Sequence, residues 1–287
     1  MEHQTNHSQE SSLLTVRDHF KSGEIFTLKP HPEHGYLTTQ PAPSEMDLPS
    51  YYDSKEYISH TDANKGLLAR CYQWAKKIAL KRKANLIASQ VPNKGKLLDV
   101  GAGTGDFLNY MKDLDWDVNG TEPNEAARSL ADQKGIKLVT NLDQLPNQKF
   151  KVITLWHVLE HITHLEEVLD RIKNMLEEDG VLIVAVPNYR SWDATYYGAF
   201  WAAYDVPRHL WHFDQDSMQS LMRSRFDFKK TEPMLFDSYY VSLLSEKYKG
   251  SSLGIFRAAF QGWRSNRKAA KSGEYSSLIY IFSQKQP

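Results

Sequence analysis

One stretch restricts the fold of this chain more than any other: Lys96-Leu97-Leu98-Asp99-Val100-Gly101-Ala102-Gly103-Thr104-Gly105-Asp106-Phe107. Leu97, Leu98 and Val100 read as a buried strand with one acid, Asp99, near its end. Three glycines at alternate positions then let the backbone turn tightly and approach a ligand where a Cβ would collide. The segment that follows reads as a helix. Its first N–H groups face the same space, which suits a carboxylate or a phosphate. Strand, glycine loop and helix in this order predict a nucleotide-like cofactor at the end of a parallel strand.

The glycine spacing narrows the cofactor. A dinucleotide loop reads G-x-G-x-x-G, and a phosphate loop G-x-x-x-x-G-K-[ST]. Here the spacing is G-x-G-x-G, Asp106 stands where the third dinucleotide glycine would be, and the phosphate loop is missing. The pattern LLDVGAGTGDF resembles motif I of the class I S-adenosylmethionine (SAM) methyltransferases. The resemblance implies that Asp99, Gly101, Gly103 and Gly105 surround the methionine end of SAM. It also implies a Rossmann-like α/β fold with seven strands, mostly parallel, the last antiparallel, and helices on both faces.

Downstream segments fit the same plan. Trp116–Thr121 reads as a second strand ended by Glu122, about 20 residues past the first glycine, where a ribose-binding acid is expected. Gly135 closes the next helix, and Ile136–Val139 reads as a third strand. Asn141 and Leu142 follow it. Relatives carry an acid about here for the adenine amino group, and Asn141 keeps a carbonyl acceptor. Leu142 is expected against the purine. Phe150–Leu155 reads as a buried strand, continued by Trp156-His157-Val158-Leu159-Glu160-His161. The run WHVLEH resembles the strand-4 signature of small-molecule methyltransferases, including the quinone-biosynthesis O-methyltransferases. That resemblance puts Trp156 and His157 beside the transferable methyl group. His157 and His161 stand four apart, but the rest of a helical zinc motif is missing, so no metal is expected. For His161, a bridging role inside the fold and a catalytic role both stay open.

Two segments are expected to flank the sheet edge. Asn188–Phe213 is dense in aromatic residues, and its run PRHLWHF resembles a signature of one subgroup of small-molecule methyltransferases. Arg208 is expected to anchor an acidic or ionisable acceptor and His209 to stand second to His157 as the base. The bland alternative pairs Arg208 with Asp205 or Asp214. Residues 235–275 read as helical and basic, a candidate lid. The chain is expected to divide into 1–90, an arm with a short hairpin (25–39) and a helix covering the cofactor site, and 91–287, the SAM-binding domain with both insertions. Tyr52, Tyr57 or Trp156 is expected to face the sulfonium through cation–π contact, and the arm's 51–60 segment is expected to close over the cofactor. The run Lys76, Lys77, Lys81, Arg82 and Lys83 reads as a solvated helix face.

Composition excludes several classes. The 287 residues carry 35 basic and 35 acidic side chains, which leaves no nucleic-acid footprint in the total. A single cysteine, Cys71, excludes a disulfide framework. No apolar run reaches the roughly 18 residues of a membrane span, and the polar first residues lack a signal-peptide core, so a cytoplasmic location is expected. The reading is a SAM-dependent methyltransferase acting on a small-molecule acceptor, at oxygen. Two alternatives stay open: a catalytically inactive SAM-binding module, and a nicotinamide-dependent oxidoreductase, which Asp106 opposes.

Overall fold

The computed structural model describes residues 14–52 and 67–285, with side chains from residue 75 onward in the second segment. Tyr57 and most of the expected 51–60 closing segment lie outside the described residues.

Three short antiparallel strands come first: β1 (Leu14–Arg17), β2 (Ile25–Pro30) and β3 (Leu37–Gln40). β2 and β3 form the hairpin expected around Pro30–Gly35, in the register Leu28↔Thr39. The short helix α1 (Leu48–Tyr52) and the long α2 (Leu67–Gln90) follow. Strands and helices then alternate: β4 (Lys96–Val100), α3 (Asp106–Lys112), β5 (Asp117–Thr121), α4 (Glu125–Asp132), β6 (Phe150–Trp156), α5 (Leu165–Met175) and β7 (Leu176–Pro187). The first insertion holds α6 (Trp192–Tyr197), two 3-10 turns and the two-residue strand β8 (Trp211–His212). Next come α7 (Gln215–Met222), β9 (Phe226–Pro233), the helix pair α8 (Asp237–Tyr248) and α9 (Gly254–Ser272), and β10 (Ser277–Gln284).

Local chemistry sets several of these boundaries. The Asn124 side chain accepts from Ala127 N at 3.0 Å and caps α4. Asp214 and Ser217 cap α7 reciprocally. Gly273 ends α9 in the left-handed conformation.

The main sheet has six strands in the order β5-β4-β6-β7-β10-β9. β5, β4, β6 and β7 are parallel, while β10 runs antiparallel to both its neighbours. The order reverses at β4, so the loops after β4 and β6 open on the crevice where α/β sheets bind ligands. The expected third strand, Ile136–Val139, is reduced to one parallel bridge, Thr121↔Val139. Two hydrogen bonds flank it, Glu122 N to Val139 O and Val139 N to Gly120 O. The chain then turns away at Asn141 into a 3-10 turn, so this edge never gains a full ladder.

Alternate residues of the parallel strands feed two cores. Leu98, Val100, Ile153, Leu155, Leu182 and Val184 face α5 and α7. Leu97, Val152, Ile183 and Ala185 face Ile87 of α2 and Phe107, Leu108 and Met111 of α3. The aromatic insertion forms a third cluster with the N-terminal strands, through Phe26, Leu28, Tyr197, Trp201 and Tyr204. β8 pairs with β3 and completes a second, four-stranded sheet. Most of the insertion's aromatics are therefore packing residues. Among the described residues, no helix is long and apolar enough to cross a membrane.

Candidate active site

The glycine loop leaves β4 in the left-handed conformation at Gly101, Gly103 and Gly105, with φ of +71°, +54° and +72°. The three positions do different work. A Cβ at Gly101 would stand 2.5 Å from Val158 Cγ2, so this glycine lets the loop after β6 close on the loop after β4. A Cβ at Gly105 would stand 2.9 Å from Ala131 Cβ, so this one seats α3 against α4. At Gly103 a Cβ would meet nothing within 4 Å. The backbone there borders open space and is free to approach a ligand.

Glu122 closes the other side. Its carboxylate accepts from Gly103 N and Asn124 N, each at 2.9 Å, and is thus fixed at the carboxyl ends of β4 and β5 with lone pairs to spare. An open glycine cradle beside a carboxylate held by backbone donors is what a ribose with two free hydroxyls needs, so the residues present fit SAM. Asn141 uses its side-chain oxygen to accept from Asp143 N at 3.0 Å, as a cap. Leu142 is buried in the core, which corrects the expectation that its side chain covers a purine face.

Beneath the loop, Asp99 is buried and accepts from Thr154 Oγ1 at 2.6 Å. Burial pushes its carboxyl up to about 7, against the Thr154 bond and the Lys83 charge that favour ionisation. Lys83 is the unforeseen member. Its ammonium lies 4.3 Å from the centre of the Trp156 ring and 5.6 Å from that of Phe107. Burial lowers its proton affinity, and Asp99 and Asp237 pull it back. Trp156 packs edge-on to Phe107, and its indole Nε1 is buried without a hydrogen-bond partner. The basic run of α2 is therefore not simply a solvated face. Lys76 pairs with Asp106 at 2.6 Å, Arg82 covers the Phe236 ring at 4.8 Å, and Lys83 enters the site. A charge run in a sequence gives no hint of which member points inward.

His157 follows β6 in the left-handed region, φ +57°, a strained conformation for a non-glycine residue. Its Nε2 lies 3.0 Å from Asp237 Oδ2 and its Nδ1 3.4 Å from Glu160 Oε1. Burial opposes the charged ring, but the Asp237 and Glu160 carboxylates outweigh it and raise His157 to about 10. It is an imidazolium at neutral pH and cannot accept a proton, which corrects the expectation of a free base there. Asp237 begins α8, so the second insertion does reach the site.

Arg208 is not free for an acceptor. It is 2% exposed and donates to Asp205 at 2.6 and 3.0 Å and to Asp18 at 3.2 Å, with Phe20 under its guanidinium. Its charge is balanced inside the protein, so it pins the insertion to the N-terminal strands. His209 is buried as well, with Nδ1 2.9 Å from Ala203 O, and burial lowers it to about 4. It faces His161, ring centres 4.5 Å apart. The Tyr52 hydroxyl lies 2.9 Å from His161 Nδ1, so its polar end serves this cluster.

The chain is similar to known methyltransferases. A methyltransferase-domain family model matches residues 72–232. A ubiquinone biosynthesis O-methyltransferase of Actinobacillus pleuropneumoniae serotype 7 (strain AP76) is 27% identical over 169 residues, covering 53% of this chain and 72% of that protein. The same-named protein of Rhodopseudomonas palustris (strain HaA2) is 26% identical over 128 residues, covering 40% and 51%. Two solved structures share the fold. Magnesium protoporphyrin IX methyltransferase from Synechocystis PCC 6803, with bound S-adenosylhomocysteine, aligns with a TM-score of 0.55 at 13% identity, over 84% of this chain and 100% of that one. Geranyl diphosphate methyltransferase in complex with SAM aligns with a TM-score of 0.53 at 15% identity, over 78% and 93%.

Proposed function

The chain belongs to the methyltransferase-domain family, and from that membership we propose that it methylates a small-molecule acceptor at an ionisable hydroxyl. It is a SAM-dependent methyltransferase on a Rossmann-like sheet. The observation that carries the reading is the pairing of Gly103 N with the Glu122 carboxylate at the open crevice. The names of the relatives, O-methyltransferases of ubiquinone biosynthesis, support oxygen as the acceptor atom and a small molecule as its bearer.

SAM, when bound, supplies a methyl group on a sulfonium, an electrophile that needs no further activation. The work left to the protein is placement, worth up to about 7–11 kcal/mol of the barrier, and control of one proton. Glu122 accepts from the ribose hydroxyls, and the loop backbone at Gly103 borders the cofactor. Asp99, Gly101 and Gly105 shape the loop, and Trp156 offers a ring face where Lys83 now lies. His157 acts as a cation. Its imidazolium favours the ionised form of a hydroxyl placed beside it, and the Asp237 carboxylate, 21% exposed, is the basic partner that takes the proton. With Arg208 balanced by Asp18 and Asp205, that residue does not itself call for a carboxylate or phosphate on the acceptor.

The test incubates the protein with SAM and a panel of phenols and catechols, with mass spectrometry of both products. S-adenosylhomocysteine and a methyl ether in equal amounts are expected. SAM binding without turnover on any acceptor would favour a binding module.

A further inference from the structure

The outer face of α9 carries charge that the fold leaves unbalanced. The whole chain balances at 35 basic and 35 acidic side chains. Gly254–Ser272 instead holds Arg257, Arg264, Arg267, Lys268 and Lys271 and no acid. Its buried side is made of small or uncharged residues, Ala258, Gln261, Gly262, Ser265 and Ala269. That side packs on α8, where Ser238 Oγ donates to Gly262 O at 3.2 Å. Phe260, Trp263, Arg264, Arg267, Lys268 and Lys271 recur at three- and four-residue spacing away from it, so they form one stripe. The stripe runs for about 16 Å and lines a shallow groove of about 300 Å³.

Two of these cations are set in place by rings. The Arg264 guanidinium lies 4.9 Å from the centre of the Trp192 ring and 5.7 Å from that of Phe260, and the Arg267 guanidinium 5.3 Å from that of Trp263. Phe260 and Trp263 stack 5.9 Å apart and remain 53% and 46% exposed. Stacking fixes a guanidinium plane and leaves its N–H edge for an anion. Among the described residues, none of Arg264, Arg267, Lys268 and Lys271 is ion-paired. Arg190, Arg208, Arg225 and Arg257 each reach a carboxylate.

We propose that this face docks an acidic helix of a partner protein. A helix with carboxylates three and four residues apart along one side presents them at the spacing of the cations. Arginine meets a carboxylate through two parallel hydrogen bonds. Tryptophan and arginine are also the residues on which protein interfaces concentrate their affinity. The rings of the stripe are taken up by guanidinium groups. That favours carboxylates over bases, which stack on bare rings, and over acyl chains, which need an uncharged face. The stripe shares no residue with the site around Glu122 and His157, so the proposal does not depend on which acceptor is methylated.

The probe is a synthetic helical peptide with glutamate at every third or fourth position along one side and leucine beside it. The same peptide with lysine for glutamate is its control. In fluorescence anisotropy with the full chain, the glutamate peptide is expected to bind saturably and to lose affinity as salt rises. R267Q/K271Q, which changes two exposed side chains and is checked for folding by circular dichroism, is expected to bind at least about tenfold more weakly. K94Q, at an exposed lysine elsewhere, is expected to bind as wild type. No saturable binding, equal binding of the lysine peptide, or unchanged affinity in R267Q/K271Q would overturn the proposal. So would tighter binding of phosphatidylglycerol vesicles or polyuridylate that R267Q/K271Q abolishes, or self-association lost in that variant, since each assigns the face to another occupant.

Discussion

His157 Nε2 lies 3.0 Å from Asp237 Oδ2, which joins the turn after β6 to the first residue of α8. The contact makes His157 a cation between two carboxylates and ties the second insertion to the site. The folded state holds a proton on His157 up to about pH 10, while an unfolded chain releases it near 6.5. Stability from this cluster is therefore complete below about pH 6.5 and declines as pH rises toward 10. In D237N the ring is expected to titrate closer to its ordinary value, read by NMR of the His157 ring protons. A wild-type titration near 6.5 would contradict the pairing.

Gly101 and Gly103 are expected to fail differently. Gly101→Ala puts a methyl 2.5 Å from Val158 Cγ2 at a left-handed φ and is expected to cost about 2–4 kcal/mol of stability. Gly103→Ala meets no atom and carries only the backbone cost, about 1–2 kcal/mol. Denaturant unfolding ranks the two. At Gly103 the larger loss is expected in SAM affinity, and equal destabilisation by both variants would contradict the assignment.

Removing Arg208 takes the cation from Asp18, whose side chain is fully buried and keeps only its hydrogen bonds from Phe20 N, Lys21 N and Ser22. Arg208→Ala is expected to lose about 3–5 kcal/mol, seen as a lower melting temperature. Specific activity per folded molecule is expected to hold. Intact stability with lost turnover would instead return Arg208 to the acceptor.

Asp193 is a second internal anchor. It accepts from Trp201 Nε1 at 2.8 Å and from Ser265 and Ser276 Oγ at 2.7 Å each, so it joins the first insertion to α9 and to the approach to β10. Asp193→Ala leaves three buried donors unpaired and is expected to cost about 3 kcal/mol or more. A change below about 1 kcal/mol in urea melts would show that water replaces the carboxylate.

The parts of the site legible in the sequence are those with local spacing. The three glycines, Asp99 and Glu122 obey a fixed interval set by one strand, one loop and the next strand. What was not legible depends on contacts far apart in the chain. Arg208 meets Asp18 across 190 positions, so the sequence offered Asp205 and Asp214 as partners and Asp18 went unseen. His157 reads as a base until α8 brings Asp237 to it. Lys83 looks like any other member of a solvated run, because helix phase alone does not show that this turn of α2 faces Trp156. The third strand failed for a simpler reason: four residues carried the pattern, and only Val139 found a ladder partner.

The central claim is that the Gly103–Glu122 cradle binds SAM, and calorimetric titration of wild-type protein and Glu122→Ala with SAM, alongside NAD, tests it most directly. Wild-type protein is expected to bind SAM and not NAD. Glu122→Ala is expected to fold and to bind SAM roughly 10- to 100-fold more weakly, the loss of about 1.5–3 kcal/mol that hydrogen bonds to a charged acceptor contribute. Unchanged SAM affinity in Glu122→Ala, or binding of NAD in place of SAM, would contradict it.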